Sequence, residues 1–569
     1  MIRIPYGLSD FKTMMEKNYF YQDRTNFIEK LEQWSSPYVI FLRPRRFGKS
    51  LFVSLLHYYY GLEYQKDFGA LFGQTYIGKK PTENANNYLV LSLEFSRIDT
   101  STQERTYQGF LTNVILGVRS FLAAYREYFN DEDQQVILNQ TSPEAVVKTI
   151  FTVVETKNLP HKIYVLIDEY DHFANELLSF DLDQFKSGVS RNGFVRKFYE
   201  SLKTATRNGI IGRIFITGVS PVTLDALTSG FNITSNLTLN SIFHNMMGFT
   251  STEVHEILRL ADTLPDEIPA IMDDLRDWYN GYMFAIDAKE RLFNPDMVLY
   301  FLLDYTNFQK YPEPMLDTNV ISDYRKVRNI FKIGGTESEK FELLEELVNN
   351  GSIVFPLTHL YNLESQFSND DFLSLLFYMG MLTIRTKEVS GWQFAVPNYV
   401  IKKLYFEYFT AIALQNTQFE RNLRPIRNSI EALVSQANPE PFFNIVEQVL
   451  KENHSNRDEL SYGEKHLQTL MVGLLFPYES YFIHSEYESR RGYPDIFLEK
   501  MPGRPAKHEI VLELKYVKKS KAETLPVVLA EAQAQLKEYM SSERFSRPDV
   551  RGFYVVFLGG KVYQWGEER

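Results

Sequence analysis

The chain has 569 residues, of which 44% are hydrophobic, 15% aromatic and 23% charged. That is the composition of a globular chain of about three or four domains, not of a disordered one. Cysteine is absent, which excludes disulfides, thiolate zinc sites, iron–sulfur clusters and a cysteine nucleophile. The 61 Lys and Arg against 72 Asp and Glu give a net charge of −11. This argues against a protein coated in positive charge for non-specific nucleic-acid binding, and leaves a local basic groove open.

The chain has no basic start followed by an apolar stretch, and no run of about 18 apolar residues. Neither a signal peptide nor a membrane span is expected, so the chain reads as soluble and cytoplasmic. In chain order, short apolar runs at Tyr38–Leu42, Tyr88–Leu93, Ile163–Ile167 and Arg213–Thr217 alternate with helical stretches such as Lys49–Tyr60 and Thr106–Phe129. This is the pattern of a parallel α/β sheet buried on both faces and joined by right-handed crossovers. From about residue 250 the pattern is helical: Thr250–Leu260, Ile268–Tyr279, and a helix opened by the cap residue Asn294 and Pro295. Helices at Lys340–Asn349 and Asn369–Met379, then strand-like pieces at Leu382–Thr386 and Trp392–Val396, resemble a winged helix. Pro425–Glu452 reads as a helical connector. The last unit reads αβββαβ: Gly463–Phe476, Tyr481–Glu488, Asp495–Glu499, Glu509–Val517, Ala522–Met540 and Gly552–Leu558. The expected organisation is a P-loop domain at 1–250, a helical extension at 251–339, a winged-helix-like region at 340–425, a connector at 426–454 and a final α/β domain at 455–569.

The first strand runs directly into Arg43-Pro44-Arg45-Arg46-Phe47-Gly48-Lys49-Ser50 and a helix. A phosphate-binding loop needs successive backbone N–H groups, a helix N-terminus and a lysine that reaches the outer phosphates. Gly48, Lys49 and Ser50 supply these, with the Ser50 hydroxyl as a Mg²⁺ ligand and Arg45 and Arg46 as further phosphate-binding groups. The usual first glycine falls at Arg43, so the motif is incomplete; the plain alternative is a helix cap with a surface lysine. Ile163–Ile167 then ends in Asp168 and Glu169. A carboxylate on a rigid strand end suits Mg²⁺ bridging two phosphates, the role of Asp168, and Glu169 is placed to act as base or water-orienting group. Thr217, ending the next strand, is a candidate γ-phosphate sensor or simply a threonine before a glycine turn. Arg45, Arg46, Arg191, Arg196 and Arg207 are candidates for reaching a neighbouring subunit's nucleotide in a homo-oligomer, or ordinary surface residues.

These stretches, with Leu166-Ile167-Asp168-Glu169-Tyr170-Asp171, Thr217-Gly218-Val219-Ser220-Pro221, Tyr279-Asn280-Gly281-Tyr282 and Asn294-Pro295, resemble a bacterial family of AAA-ATPase-like proteins over roughly residues 1–410. In that family an arginine-proline-arginine-arginine start replaces the glycine, so Arg43 is a family trait. The resemblance implies ATP binding with Mg²⁺; whether ATP is hydrolysed or serves as a switch does not follow from it.

The last unit holds Gly492-Tyr493-Pro494-Asp495 and, within an apolar strand, Glu513-Leu514-Lys515. Cutting a phosphodiester takes a divalent metal on hard oxygen ligands, Mg²⁺ or Mn²⁺. Glu513 and Lys515 share a strand face, and antiparallel pairing brings Asp495 near Glu513. Glu464, on the preceding helix, is a further ligand directly or through water, or a solvated helix residue. Gln535 is positioned for a water or the DNA backbone, or is a plain surface glutamine. From residue 461 onward there are 16 Lys and Arg against 15 Asp and Glu, so this unit is near neutral; Arg490, Arg491, Arg504, Lys518, Lys519 and Lys521 border the site and can track phosphates. The constellation, with Gln535-Leu536-x-x-Tyr539, resembles the PD-(D/E)XK nuclease superfamily. That resemblance implies that Asp495 and Glu513 ligate metal while Lys515 orients the nucleophilic water or neutralises phosphate charge. The expected function is an ATP-regulated, metal-dependent nuclease acting on nucleic acid, DNA first. The alternative is an ATP-dependent switch or scaffold whose nuclease-like unit binds a partner without cutting.

Overall fold

The computed structural model describes residues 2–180, 193–222, 231–317, 319–320, 337–361, 367–415, 417–453, 463–478, 480–485, 494–501 and 506–568. The chain divides into two compact units, one of 1–340 with 352–399 and one of 341–351 with 400–569.

In the first unit, strands β1 (Tyr38–Leu42), β2 (Tyr88–Glu94), β3 (Lys162–Asp168), β4 (Ile211–Gly218) and the two-residue β5 (Ser235–Asn236) form one sheet in the order β2-β3-β4-β1-β5. All its pairings are parallel. The first four strands are the expected apolar runs: β1 has the expected bounds, and the other three are longer than expected by one, two and three residues; β5 has no apolar pattern. Helix α1 (Lys49–Tyr60) follows β1 as expected, and α2 (Gln103–Ala124) begins at Thr102, whose side chain accepts from the Arg105 N–H. α2 stops short of the expected Phe129, and Tyr125 turns inward so that its hydroxyl accepts from the Val90 N–H at 2.8 Å. α3 (Pro143–Lys157) precedes β3 and α4 (Phe194–Arg207) precedes β4 in the chain. Because β4 lies between β1 and β3, the loops after these three strands open at one carboxyl edge, where parallel α/β sheets bind ligands.

Beyond the sheet come α5 (Ser251–Leu260), α6 (Ile268–Tyr279) and α7 (Pro295–Phe308), the last capped by the Asn294 side chain accepting from the Asp296 N–H. The expected hairpin is β7 (Thr383–Glu388) with β8 (Gly391–Ala395). A third strand, β6 (Ile353–Phe355), pairs antiparallel with β8. α9 (Asn369–Tyr378) precedes the hairpin, whereas helix α8 (Glu337–Asn350), which comes before β6 in sequence, belongs mostly to the second unit.

In the second unit, α10 (Tyr399–Ala413) leads to α11 (Arg424–Gln436) and α12 (Glu440–Asn453). The helical connector is made of two helices, parted where Ala437 adopts a left-handed φ of 53° and Pro439 removes an N–H donor. α13 (Glu464–Leu475) precedes a mixed five-stranded sheet, ordered β13-β12-β11-β10-β9, from β9 (Tyr481–Ser485), β10 (Ile496–Lys500), β11 (Glu509–Val517), β12 (Val550–Leu558) and β13 (Lys561–Glu568). Helix α14 (Leu525–Met540) lies between β11 and β12 in sequence and packs Ala532, Leu536 and Tyr539 into a core with Val511, Val517 and Val556. A Cβ on Gly552 would meet Met540 Sδ at 2.7 Å, so the helix approaches β12 closely there. The αβββαβ order stands, with β13 added through a two-residue Gly559–Gly560 turn in which both glycines have positive φ, the usual tight hairpin link.

Candidate functional site

The loop after β1 is anchored by two side chains. Arg43, 1% exposed, points into the protein. Its guanidinium donates to the carbonyls of Leu42 and Thr238 at 2.9 Å and of His244 at 3.1 Å, between the rings of Phe41 and Phe284. Phe47 is buried edge-on against Tyr282 and Phe284. A residue that replaces the usual glycine therefore ties the loop down, and the Tyr279–Tyr282 motif forms part of its seat. Gly281 in that motif has φ +104°, and a Cβ there would fall 1.8 Å from the Pro397 carbonyl oxygen. Gly48 caps α1 at φ 90° in open space, so it is the backbone conformation that requires glycine. Arg46 also adopts positive φ, and its Nη1 meets Asp296 Oδ2 at 3.2 Å.

Lys49 is buried and donates to the Pro44 carbonyl at 2.9 Å. Burial holds its amine below the ordinary value against the pull of Asp168, Glu169 and Asp171. Asp168, at the end of β3, accepts from the Glu169 N–H at 2.9 Å. Burial pushes its carboxyl up to about 6, while Ser50 and Lys49 draw it back and Glu169 adds to the rise. Gly48, Lys49, Ser50, Asp168 and Glu169 thus meet at one edge. The Ser50 hydroxyl and the Asp168 carboxylate are hard oxygens in mutual contact, a set that fits Mg²⁺. Glu169 has a left-handed φ of 51° and pairs with His172 at 3.4 Å. Thr217 is fully buried and its hydroxyl donates to the Phe41 carbonyl at 2.8 Å, so its one proton is given to β1. Asp171 clamps the neighbouring loop by accepting from the N–H groups of Val219 and Ser220 at 3.0 and 2.6 Å. A cleft of about 450 Å³ lies against this edge, lined by Arg45, Arg46, Gly48, Lys49, Ser50 and Glu169. Arg196 pairs with Glu200 on its own helix at 2.9 Å, Arg207 is exposed, and Arg191 lies outside the described residues.

In the second unit, odd-numbered residues of β11 share a face. Val511 and Val517 join the core under α14, so Glu513 and Lys515 are charged groups between apolar residues of that face, which opens with Glu509 paired to Arg544. Ile496 pairs with Leu512 antiparallel, which sets Asp495 across from Glu513. The Asp495 carboxylate accepts from the Leu514 N–H at 2.7 Å. Glu513 is 1% exposed; Oε1 meets Lys515 Nζ at 2.8 Å, and Oε2 is buried without any hydrogen-bond partner. Burial and then the charge of Glu513 push Asp495 up to about 8; burial also raises Glu513, against the pull of Lys515. Burial would lower the Lys515 amine, but its bonds to Glu513 and Glu464 outweigh this and hold it above its ordinary value. Two buried acids and an orphaned oxygen fit a divalent cation. Among the described residues no three His, Asp or Glu side chains stand together at metal-holding spacing, so such an ion would rest on Asp495 and Glu513. Glu464 is turned to Lys515 at 3.6 Å.

Two neighbours escaped the sequence reading as contributors. Gln468, one helical turn after Glu464, donates to the Asp495 carbonyl at 2.6 Å; the i,i+4 spacing was the available signal. Tyr539, noted only as part of a helix pattern, is pushed up to about 12 by burial and by the charges of Glu513 and Asp495. Gln535 is exposed on α14, one turn before Tyr539, and Lys518, Lys519 and Lys521 are exposed just beyond β11. Gly492, Tyr493, Arg490, Arg491 and Arg504 lie outside the described residues.

Residues 5–228 match the family described as predicted AAA-ATPase. Residues 462–564 match the PD-(D/E)XK nuclease superfamily. Both matches fall on the families that the motifs resemble, although the first ends well before residue 410. It is 24% identical over 307 residues to an uncharacterized protein from the vnfD 5′ region of Azotobacter chroococcum mcd 1, covering 52% of each chain. The chain thus spans about half the length of the curated relative it matches. Among solved structures it is similar to a Walker-type ATPase of Pyrococcus abyssi, at 12% identity and a TM-score of 0.37, over 67% of this chain and 94% of that one. No helix among the described residues is long and apolar enough to cross a membrane.

Proposed function

We propose that the protein is an ATP-binding, metal-dependent nuclease that cuts DNA and whose cutting follows the nucleotide state of its P-loop. The observation that carries the cutting reading is Glu513: a fully buried carboxylate with one oxygen unpaired, opposite Asp495 and beside Lys515. A bound Mg²⁺ or Mn²⁺ supplies charge neutralisation at the scissile phosphate and a more acidic water. Asp495 and Glu513 hold the ion. Lys515, kept protonated by its acidic neighbours, faces the phosphate or the attacking water, and Glu464 steadies Lys515. Gln468 fixes the backbone at Asp495. Gln535 and the Lys518–Lys521 turn meet the DNA backbone.

In the first unit, Arg45, Arg46, Gly48 and Lys49 hold the phosphates of ATP, and Ser50 and Asp168 hold its Mg²⁺. Glu169 orients a water, and Thr217 follows the γ-phosphate only if it gives up the Phe41 carbonyl. Domains at 1–250 and 455–569 bound the two activities, with the helical 251–339, the winged-helix-like 340–425 and the 426–454 connector relaying between them.

The test is cleavage of plasmid and linear DNA with Mg²⁺ or Mn²⁺, with and without ATP, by wild type, Asp495→Ala and Lys49→Ala. Cutting that survives Asp495→Ala sinks the site. Cutting indifferent to ATP and to Lys49→Ala removes the regulation. No cutting under any condition leaves the switch or scaffold in its place.

A further inference from the structure

The cleft beside the P-loop extends beyond what phosphates require. Its volume of about 450 Å³ is that of a small-molecule site. Away from Gly48 its walls include Phe20 and Tyr21 from the N-terminal segment and Met246 and Met247. Such walls offer nothing to a phosphate and suit the face of a flat ring, since aromatic side chains and methionine sulfur both pack well on π-systems. Most charged groups in the cleft already have partners. Arg24 pairs with Glu253 and donates to the Gly248 carbonyl at 2.6 Å, Arg46 pairs with Asp296, and Glu169 pairs with His172. Gln22 is different. It is half-buried and lines the same cleft, and among the described residues its amide has no hydrogen-bond partner.

We infer that Gln22 selects the base of the bound nucleotide, pairing its carboxamide with the N6 amino group and N7 of adenine while Phe20, Tyr21, Met246 and Met247 enclose the ring. The inference rests on the nucleotide reading of the P-loop and deepens it. A carboxamide presents one acceptor and one donor side by side. Adenine presents the complementary donor and acceptor at N6 and N7, whereas guanine presents two acceptors along that edge, so the amide oxygen would face an acceptor. An unmatched polar group in a half-buried cleft is disfavoured.

The experiment is calorimetric titration of the full chain with ATP, GTP and 7-deaza-ATP in Mg²⁺, for wild type, Gln22→Ala, Gln22→Glu and Lys49→Ala. Wild type is expected to prefer ATP over GTP by about tenfold or more, and to bind 7-deaza-ATP severalfold more weakly than ATP. Gln22→Ala should weaken ATP about tenfold, leave GTP binding no weaker than in wild type and no longer distinguish ATP from 7-deaza-ATP. Gln22→Glu keeps the acceptor for N6 and should likewise lose the N7 preference. Retained GTP binding by Gln22→Ala, and a thermal melt like that of wild type for Gln22→Glu, report that the variants are folded. If Gln22→Ala keeps the wild-type ATP-to-GTP ratio, or still penalises 7-deaza-ATP, the assignment of Gln22 is overturned while nucleotide binding stands. If wild type binds none of the three, or Lys49→Ala binds as wild type does, the nucleotide reading fails and takes this inference with it.

Discussion

At the end of β3, Asp168 stands near a lysine supplied by another segment of chain; on β11, Glu513 stands beside a lysine two residues on. The residue types are alike and the electrostatics are opposite. Around the P-loop, Lys49, Arg45 and Arg46 gather at an open cleft, and the Lys49 amine is held below its ordinary value by burial. Around β11, three carboxylates surround one lysine, whose amine is held above its ordinary value, and one carboxylate oxygen has no partner. The first arrangement gathers cations at the mouth of a cleft with acids behind them, and the second gathers acids about a single lysine. The overall −11 averages over these two unlike neighbourhoods.

The comparison breaks most visibly at the C-terminal site. Glu513→Gln keeps the shape and removes the charge, so cleavage should fall by ~10³-fold or more while ATP affinity is unchanged; initial rates on plasmid with parallel ATP titration measure both. At the other site, Arg43→Gly restores the usual loop glycine yet strips three backbone carbonyls of their donor. It should lower the stability of the first unit by about 3 kcal/mol, read as a shift in denaturant midpoint. A gain in stability would mean that the guanidinium is not an anchor.

His244 sharpens the contrast through pH. Burial, then the neighbouring Arg43 charge, pushes this histidine down to about 4 from its ordinary 6.5. As pH falls below 6.5 the unfolded chain takes up the proton first, so stability is present above 6.5 and declines toward pH 4. His244→Gln should flatten that part of the stability profile in thermal melts at pH 4.5–7. The smallest effect is expected from Gln468→Ala. It loses a single hydrogen bond to the Asp495 carbonyl, so cleavage should slow by roughly tenfold with metal affinity reduced in step.

Much of this architecture was legible because burial on both faces leaves a mark. The strands at Tyr38, Tyr88, Ile163 and Arg213 are apolar runs, and both acid pairs stand out against them. Asp495 opposite Glu513 followed from antiparallel pairing alone. What escaped notice depends on geometry that spacing does not encode. Ser235–Asn236 is too short and polar to read as a strand. β13 does not read as a strand from the sequence although Gly559-Gly560 is a hairpin signal, because none of its residues is buried. The inward turn of Arg43 was invisible because its guanidinium is bonded to the Thr238 and His244 carbonyls and stacked on Phe284, partners about 200 or more residues away.

That anchoring has a kinetic consequence. With Phe47 and Arg43 packed before any ligand arrives, the ordering entropy of the loop is met when the chain folds and not when a nucleotide associates. Association should then proceed nearly as a rigid-body encounter, with a rate set by diffusion and the orientation of the phosphates. Its heat-capacity change should reflect only the apolar walls of the cleft losing water.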